Sequence, residues 1–123
     1  MSPRKRKRPS SKKFKANHPR IVGKFYRASD SKGGHPVLVY YSDEVLNIYY
    51  VQRFSTKQRK GRKKLLHSID PEMEDEQWLV SEPIIMNYDD MAYDSKFENY
   101  RIHPDDEAIV KKYQKHDLQN KNR

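Results

Sequence analysis

Apolar residues in this chain gather between Ile21 and Met91, with one further stretch near the C-terminus, and both ends are polar. Short apolar or alternating runs bounded by turn residues predict strands. Ile21-Val22-Gly23-Lys24-Phe25-Tyr26 predicts a first strand, with Gly23 as a bulge. Pro36-Val37-Leu38-Val39-Tyr40-Tyr41 is nearly continuous in β-branched and aromatic residues and predicts a central strand. Its proline stands first, where a missing N–H is tolerated. Residues 42–44 turn the chain, and Val45-Leu46-Asn47-Ile48-Tyr49-Tyr50-Val51 completes a hairpin. Residues 65–69 are expected to re-enter the sheet, and 78–80 and 83–86 to add short strands. Residues 88–100 are acidic and rich in tyrosine, with no period that assigns them to an element.

A helix start follows. Pro104 suits the first helical position, and Asp105, Asp106 and Glu107 complement the positive end of a helix. Ile109, Val110 and Tyr113 form a narrow apolar stripe, so a helix is expected over about 104–116. Many short strands and one terminal helix predict a mainly β domain, a small SH3-like curved sheet or barrel, over 21–116. A basic arm over 1–20, expected to be disordered alone, and a polar tail over 117–123 flank it.

Composition narrows the function. A chain of 123 residues is one domain, and 34% hydrophobic against 35% charged residues leaves a modest core. The net charge of +9 favours polyanionic partners. No run approaches the ~20 apolar residues of a membrane span. No apolar segment follows the basic N-terminus, so a secretory signal is not expected. Cysteine is absent, which removes disulfides and thiolate metal sites and fits a reducing cytoplasm. In a eukaryotic host the basic run Arg4-Lys5-Arg6-Lys7-Arg8 between two prolines would read as a nuclear import signal.

The positive charge falls in two blocks without acids. The first is the arm, with Arg4, Lys5, Arg6, Lys7 and Arg8 at its head and Arg20 at its end. The second follows the predicted hairpin: Arg53, Lys57, Arg59, Lys60, Arg62, Lys63 and Lys64. Both are expected to contact phosphates, with RNA favoured over DNA because aromatic side chains nearby offer faces on which unpaired bases stack. Residues 70–76 reverse the sign and are read as balancing the second block. The histidines (His18, His35, His67, His103 and His116) show no familiar ligand spacing. There is no phosphate-cradling glycine loop and no nucleophile elbow, so neither metal nor cofactor is expected. Asp89-Asp90 and Asp105-Asp106 read as surface or helix-end charges.

The run His35-Pro36-Val37-Leu38-Val39, the hydroxyl pair Ser55-Thr56 after the next strand, and the stretch from Trp78-Leu79-Val80 to Ile84-Ile85 together resemble the MazF/PemK toxin family. Gly23-Lys24-Phe25-Tyr26 resembles that family's opening strand. The resemblance covers roughly 21–113. It implies an SH3-like barrel with a C-terminal helix, a homodimer, metal-independent cleavage of single-stranded RNA, and an acidic antitoxin as partner. Where the family has arginine before Pro-Val-Leu-Val this chain has His35, and where it has an acid after the first glycine this chain has Lys24. On this reading His35 exchanges the proton, Ser55 and Thr56 donate to a phosphate oxygen, and Arg53 or Lys57 offsets the developing charge. Two alternatives stand beside it. One is a non-catalytic RNA- or DNA-binding module. The other is a phage or mobile-element protein that inhibits a nucleic-acid-handling enzyme, its acidic loop imitating phosphates.

Overall fold

The computed structural model describes residues 20–29, 34–82 and 84–114. Seven strands run in chain order: β1 (Phe25–Ala28), β2 (Pro36–Asp43), β3 (Ile48–Ser55), β4 (Arg62–Lys64), β5 (Trp78–Val80), β6 (Ile84–Asn87) and β7 (Met91–Ala92). One short helix, α1 (Glu107–Lys112), follows a 3-10 turn over Pro104–Asp106. All pairings are antiparallel, in the order β4-β5-β3-β2-β1-β7, with β6 on β3 as well. The architecture is mainly β with one C-terminal helix, as the sequence predicts. The sheet is open: among the described residues, β4, β6 and β7 form no ladder with one another beyond these pairings.

β3 is the spine. It pairs with β2 along its length, with β6 through Ile48, Tyr49, Tyr50 and Val51, and with β5 through Phe54 and Ser55. Its partners satisfy both edges, and a separate side-chain cluster covers each face, which accounts for its burial on both sides. Alternation sends Tyr26, Ala28, Val37, Val39, Tyr49, Val51, Met86 and Met91 to one cluster, closed by Tyr88 from the 3-10 turn between β6 and β7. Phe25, Leu38, Phe54 and Leu79 go to the other, where Leu65, Ile69, Phe97 and Val110 cover them. Buried Gln52 reaches from β3 to α1: its Nε2 donates to the Val110 carbonyl at 2.8 Å, and its Oε1 accepts from Gln114 Nε2 at 3.1 Å.

Several element boundaries differ from those the pattern predicts. Residues 21–24 are not a strand. Gly23, at φ 94°, turns the chain, and Lys24 N donates to the Ile21 carbonyl. Val45 and Leu46 also fall outside the sheet, 92% and 64% exposed. There the Asp43 carboxylate accepts from both of their N–H groups, and Asn47 takes a left-handed φ of 58°. Local turn chemistry outweighs the apolar pattern at that tip. Residues 65–69 bury Leu65 and Ile69 but form no strand, while part of the expected basic loop is strand β4. α1 is shorter than expected. Residues 115 and 116 of the anticipated helix lie outside the described residues.

The last arm cation is a structural part of the domain. The Arg20 guanidinium stacks on Tyr88, 3.7 Å from the ring centre, and donates to the Met91 carbonyl at 2.7 Å. Arg4, Lys5, Arg6, Lys7 and Arg8, assigned from the sequence to phosphate contact, lie outside the described residues.

Candidate nucleic-acid interface

β2 begins where β3 ends, because the two strands are antiparallel neighbours with Val37 opposite Arg53. That register brings His35, just before β2, to the same cleft as Ser55 and Thr56, although the sequence separates them by the whole hairpin. The chain enters β2 through Gly34, whose φ is 62°. A Cβ there would run into the Cγ and Cδ of Arg27, itself held by Asp94 at 3.1 Å. Glycine is therefore required one residue before His35 for two reasons, backbone conformation and the close approach of a side chain.

The cleft has a volume of about 320 Å³. Ser68, Ile69, Asp70, Gln77, Phe97 and Tyr100 complete its floor and walls, with Lys96 at the rim. Ser55 is buried; its Oγ accepts from Lys57 N at 3.1 Å, leaving its O–H able to donate, while Thr56 is exposed. Gln77, also buried, fixes the floor: Nε2 donates to the Ser55 carbonyl at 3.1 Å and Oε1 accepts from Ile69 N at 3.1 Å. The Tyr100 hydroxyl is pushed up to about 12, by burial first and then by the charge of Asp70 and its hydrogen bond to that carboxylate. It remains a neutral donor at any physiological pH. Asp70 is further oriented by accepting from Glu72 N at 2.9 Å.

Beyond Thr56 lies the second basic block, on the β3–β4 connection and on the end strand β4. Lys57, Arg59, Lys60, Lys63 and Lys64 are exposed, and Arg53 and Arg62 half-buried. Arg62 is depressed below the usual guanidinium range by partial burial, then by the positive charges of Arg59 and Arg53. Arg62 is also braced by donating to the Lys57 carbonyl at 2.9 Å. The acidic segment engages this block through Lys64 and Glu76, 3.3 Å apart and exposed on both sides, a contact of about 0–1 kcal/mol. Asp70 turns instead to Tyr100, and Asp75 lines the cleft.

The assembled surface thus has two parts. A cationic edge suits phosphates, and a mixed cleft offers hydroxyls, a histidine, a lysine and two carboxylates. The structure brings His35, Ser55 and Thr56 into one cleft with Asp70, Gln77, Lys96 and Tyr100, four residues that sequence reasoning did not connect with them. No spacing signal links those four to the hairpin; only packing does. Sequence reasoning also missed a meeting of His67, His103 and Asp105. Among the described residues no helix is long and apolar enough to cross a membrane. Comparison with protein-family models, with curated proteins and with solved structures finds no match for this chain.

Proposed function

We propose that this protein binds nucleic acid, preferentially single-stranded RNA, along the surface that joins the β3–β4 cations to the His35–Ser55–Thr56 cleft. The observation that carries the reading is the run of exposed Lys57, Arg59, Lys60, Lys63 and Lys64 on the β3–β4 connection and β4, which follows directly on Thr56 in the lining of that cleft. A dense run of exposed cations favours a polyanion as its partner in solution. Phosphates would lie along β4 and its loop. Ribose hydroxyls and the amino edges of bases entering the cleft can donate to Asp70 and Asp75.

A second reading, metal-independent RNA cleavage, is favoured by one further observation: His35 and the two hydroxyls share one cleft. This is the reaction the resemblance to the MazF/PemK family implies. His35 would take the 2′-OH proton as the 2′ oxygen attacks phosphorus and then give it to the leaving 5′ oxygen, Ser55 or Thr56 would donate to a non-bridging phosphate oxygen, and Lys57 or Lys96 would offset its charge. The cyclic phosphate and the freed 5′-OH would be the products. An antitoxin-like acidic protein would compete for the same cations.

The test is a pair of measurements on purified protein. Fluorescence anisotropy with a single-stranded RNA at several salt concentrations should show affinity falling steeply with salt. Absence of binding to RNA and DNA alike at low ionic strength would refute the proposal. Incubation of the same RNA in EDTA should yield cyclic-phosphate ends if the second reading holds, and His35→Ala should abolish them. Binding without fragments would leave a binding module and exclude the enzyme.

A further inference from the structure

We propose that His67, His103 and Asp105 form a zinc-binding site that joins the 65–70 segment to the start of α1. This inference stands apart from the nucleic-acid reading and does not depend on it.

The three side chains come from two distant segments, and their ligand atoms all lie within 4.8 Å of one another. His67 Nε2 is 3.0 Å from Asp105 Oδ2, and His103 Nδ1 is 3.6 Å from the same oxygen. Donors of a tetrahedral zinc ion at about 2.0–2.1 Å stand roughly 3.3 Å apart, so these separations bracket what the metal needs. Two imidazole nitrogens and one carboxylate suit zinc and its transition-metal neighbours rather than magnesium or calcium, which prefer all-oxygen shells. The fourth position would face solvent and take water.

The histidine rings stack with centres 3.6 Å apart and planes 18° from parallel. Each ring's lone pair lies in its own plane, so one ring must turn for both nitrogens to reach a single ion. His103 Nδ1 carries such a lone pair, for it accepts from Asp105 N at 3.0 Å. Metal binding exchanges that bond for coordination and releases an exposed N–H to water.

The site is also braced from beneath. Buried Asp106 accepts from Leu66 N at 2.8 Å and from His67 N at 2.9 Å. The segment carrying one ligand is thereby tied to the residue following another, so the backbone on both sides of the site is already held in place. An adjacent cleft lined by His67, His103, Asp70, Glu74 and Asp75 adds negative potential that draws a cation in. Sequence spacing hid the site because a histidine in an irregular loop and a His-x-Asp at a helix start meet only through the fold.

Isothermal titration of the full chain with zinc chloride should show one saturable site, and cobalt substitution should give the visible absorption of a four-coordinate ion. His67→Ala and His103→Ala should each weaken zinc about 100-fold or more. Exposed Asp105→Asn, which removes the carboxylate with little risk to folding, should weaken it as well. Zinc should raise the Tm of the wild-type chain and leave that of the His67→Ala variant unmoved. No saturable binding up to about 1 mM zinc would overturn the proposal. So would wild-type affinity in all three variants, or equal binding of magnesium, which would point to diffuse attraction by the acidic segment.

Discussion

Asp106 holds the strongest local claim on the stability of the domain. It is 2% exposed, and both of its carboxylate oxygens accept backbone N–H bonds, from Leu66 and His67. Asp106→Asn keeps the shape but replaces one acceptor by an NH2 group facing a buried donor. One charge-assisted bond disappears and one N–H is left unsatisfied, a cost of about 1.5–3 kcal/mol. In a domain of 60–100 residues each kcal/mol moves Tm by about 4–8 °C, so a loss near 2 kcal/mol should lower it by roughly 8–16 °C. Thermal and urea melts followed by circular dichroism measure the change. Amide exchange should locate it, with Leu66 and His67 losing protection before the strands do. A Tm within about 2 °C of wild type, with those amides still protected, would refute the reasoning.

Other perturbations follow from the same structure. Gln52→Leu preserves volume but removes the bond to the Val110 carbonyl and the partner of Gln114; urea melts should show a loss of about 1–2 kcal/mol, and no loss would mean α1 docks through its apolar stripe alone. Replacing Arg59 and Arg62 by alanine should reduce the salt dependence of RNA binding by about 0.7 in log–log slope for each phosphate no longer neutralised, and an unchanged slope would place the RNA elsewhere. The raised Tyr100 ionisation, at about 12, stabilises the folded chain below pH ~10, where the hydroxyl is neutral folded or unfolded. As pH climbs toward 12 the unfolded chain alone loses that proton, so this contribution disappears. Tyr100→Phe should flatten the alkaline fall in urea stability and delete one late-titrating phenol from the ultraviolet difference spectrum.

The amino-acid sequence by itself determined the mainly β class, the β2–β3 hairpin, a helical turn beginning at Pro104 ahead of α1, and the two basic blocks. Those features are local: strand periodicity, a proline at a permitted position, and charge uncompensated by near neighbours in the chain. The same local pattern misjudged Val45 and Leu46, because their fate rests on an Asp43 turn that the apolar count ignores. Arg20 counts as arm charge in the sequence, and in the fold it caps an aromatic cluster. Only the tertiary structure put Asp70 and Tyr100 beside His35, and His67 beside His103 and Asp105. Antiparallel register and buried polar ties such as Gln52, Gln77 and Asp106 decide which distant segments touch. Those ties depend on side chains meeting across long stretches of chain, a geometry that no window of neighbouring residues contains.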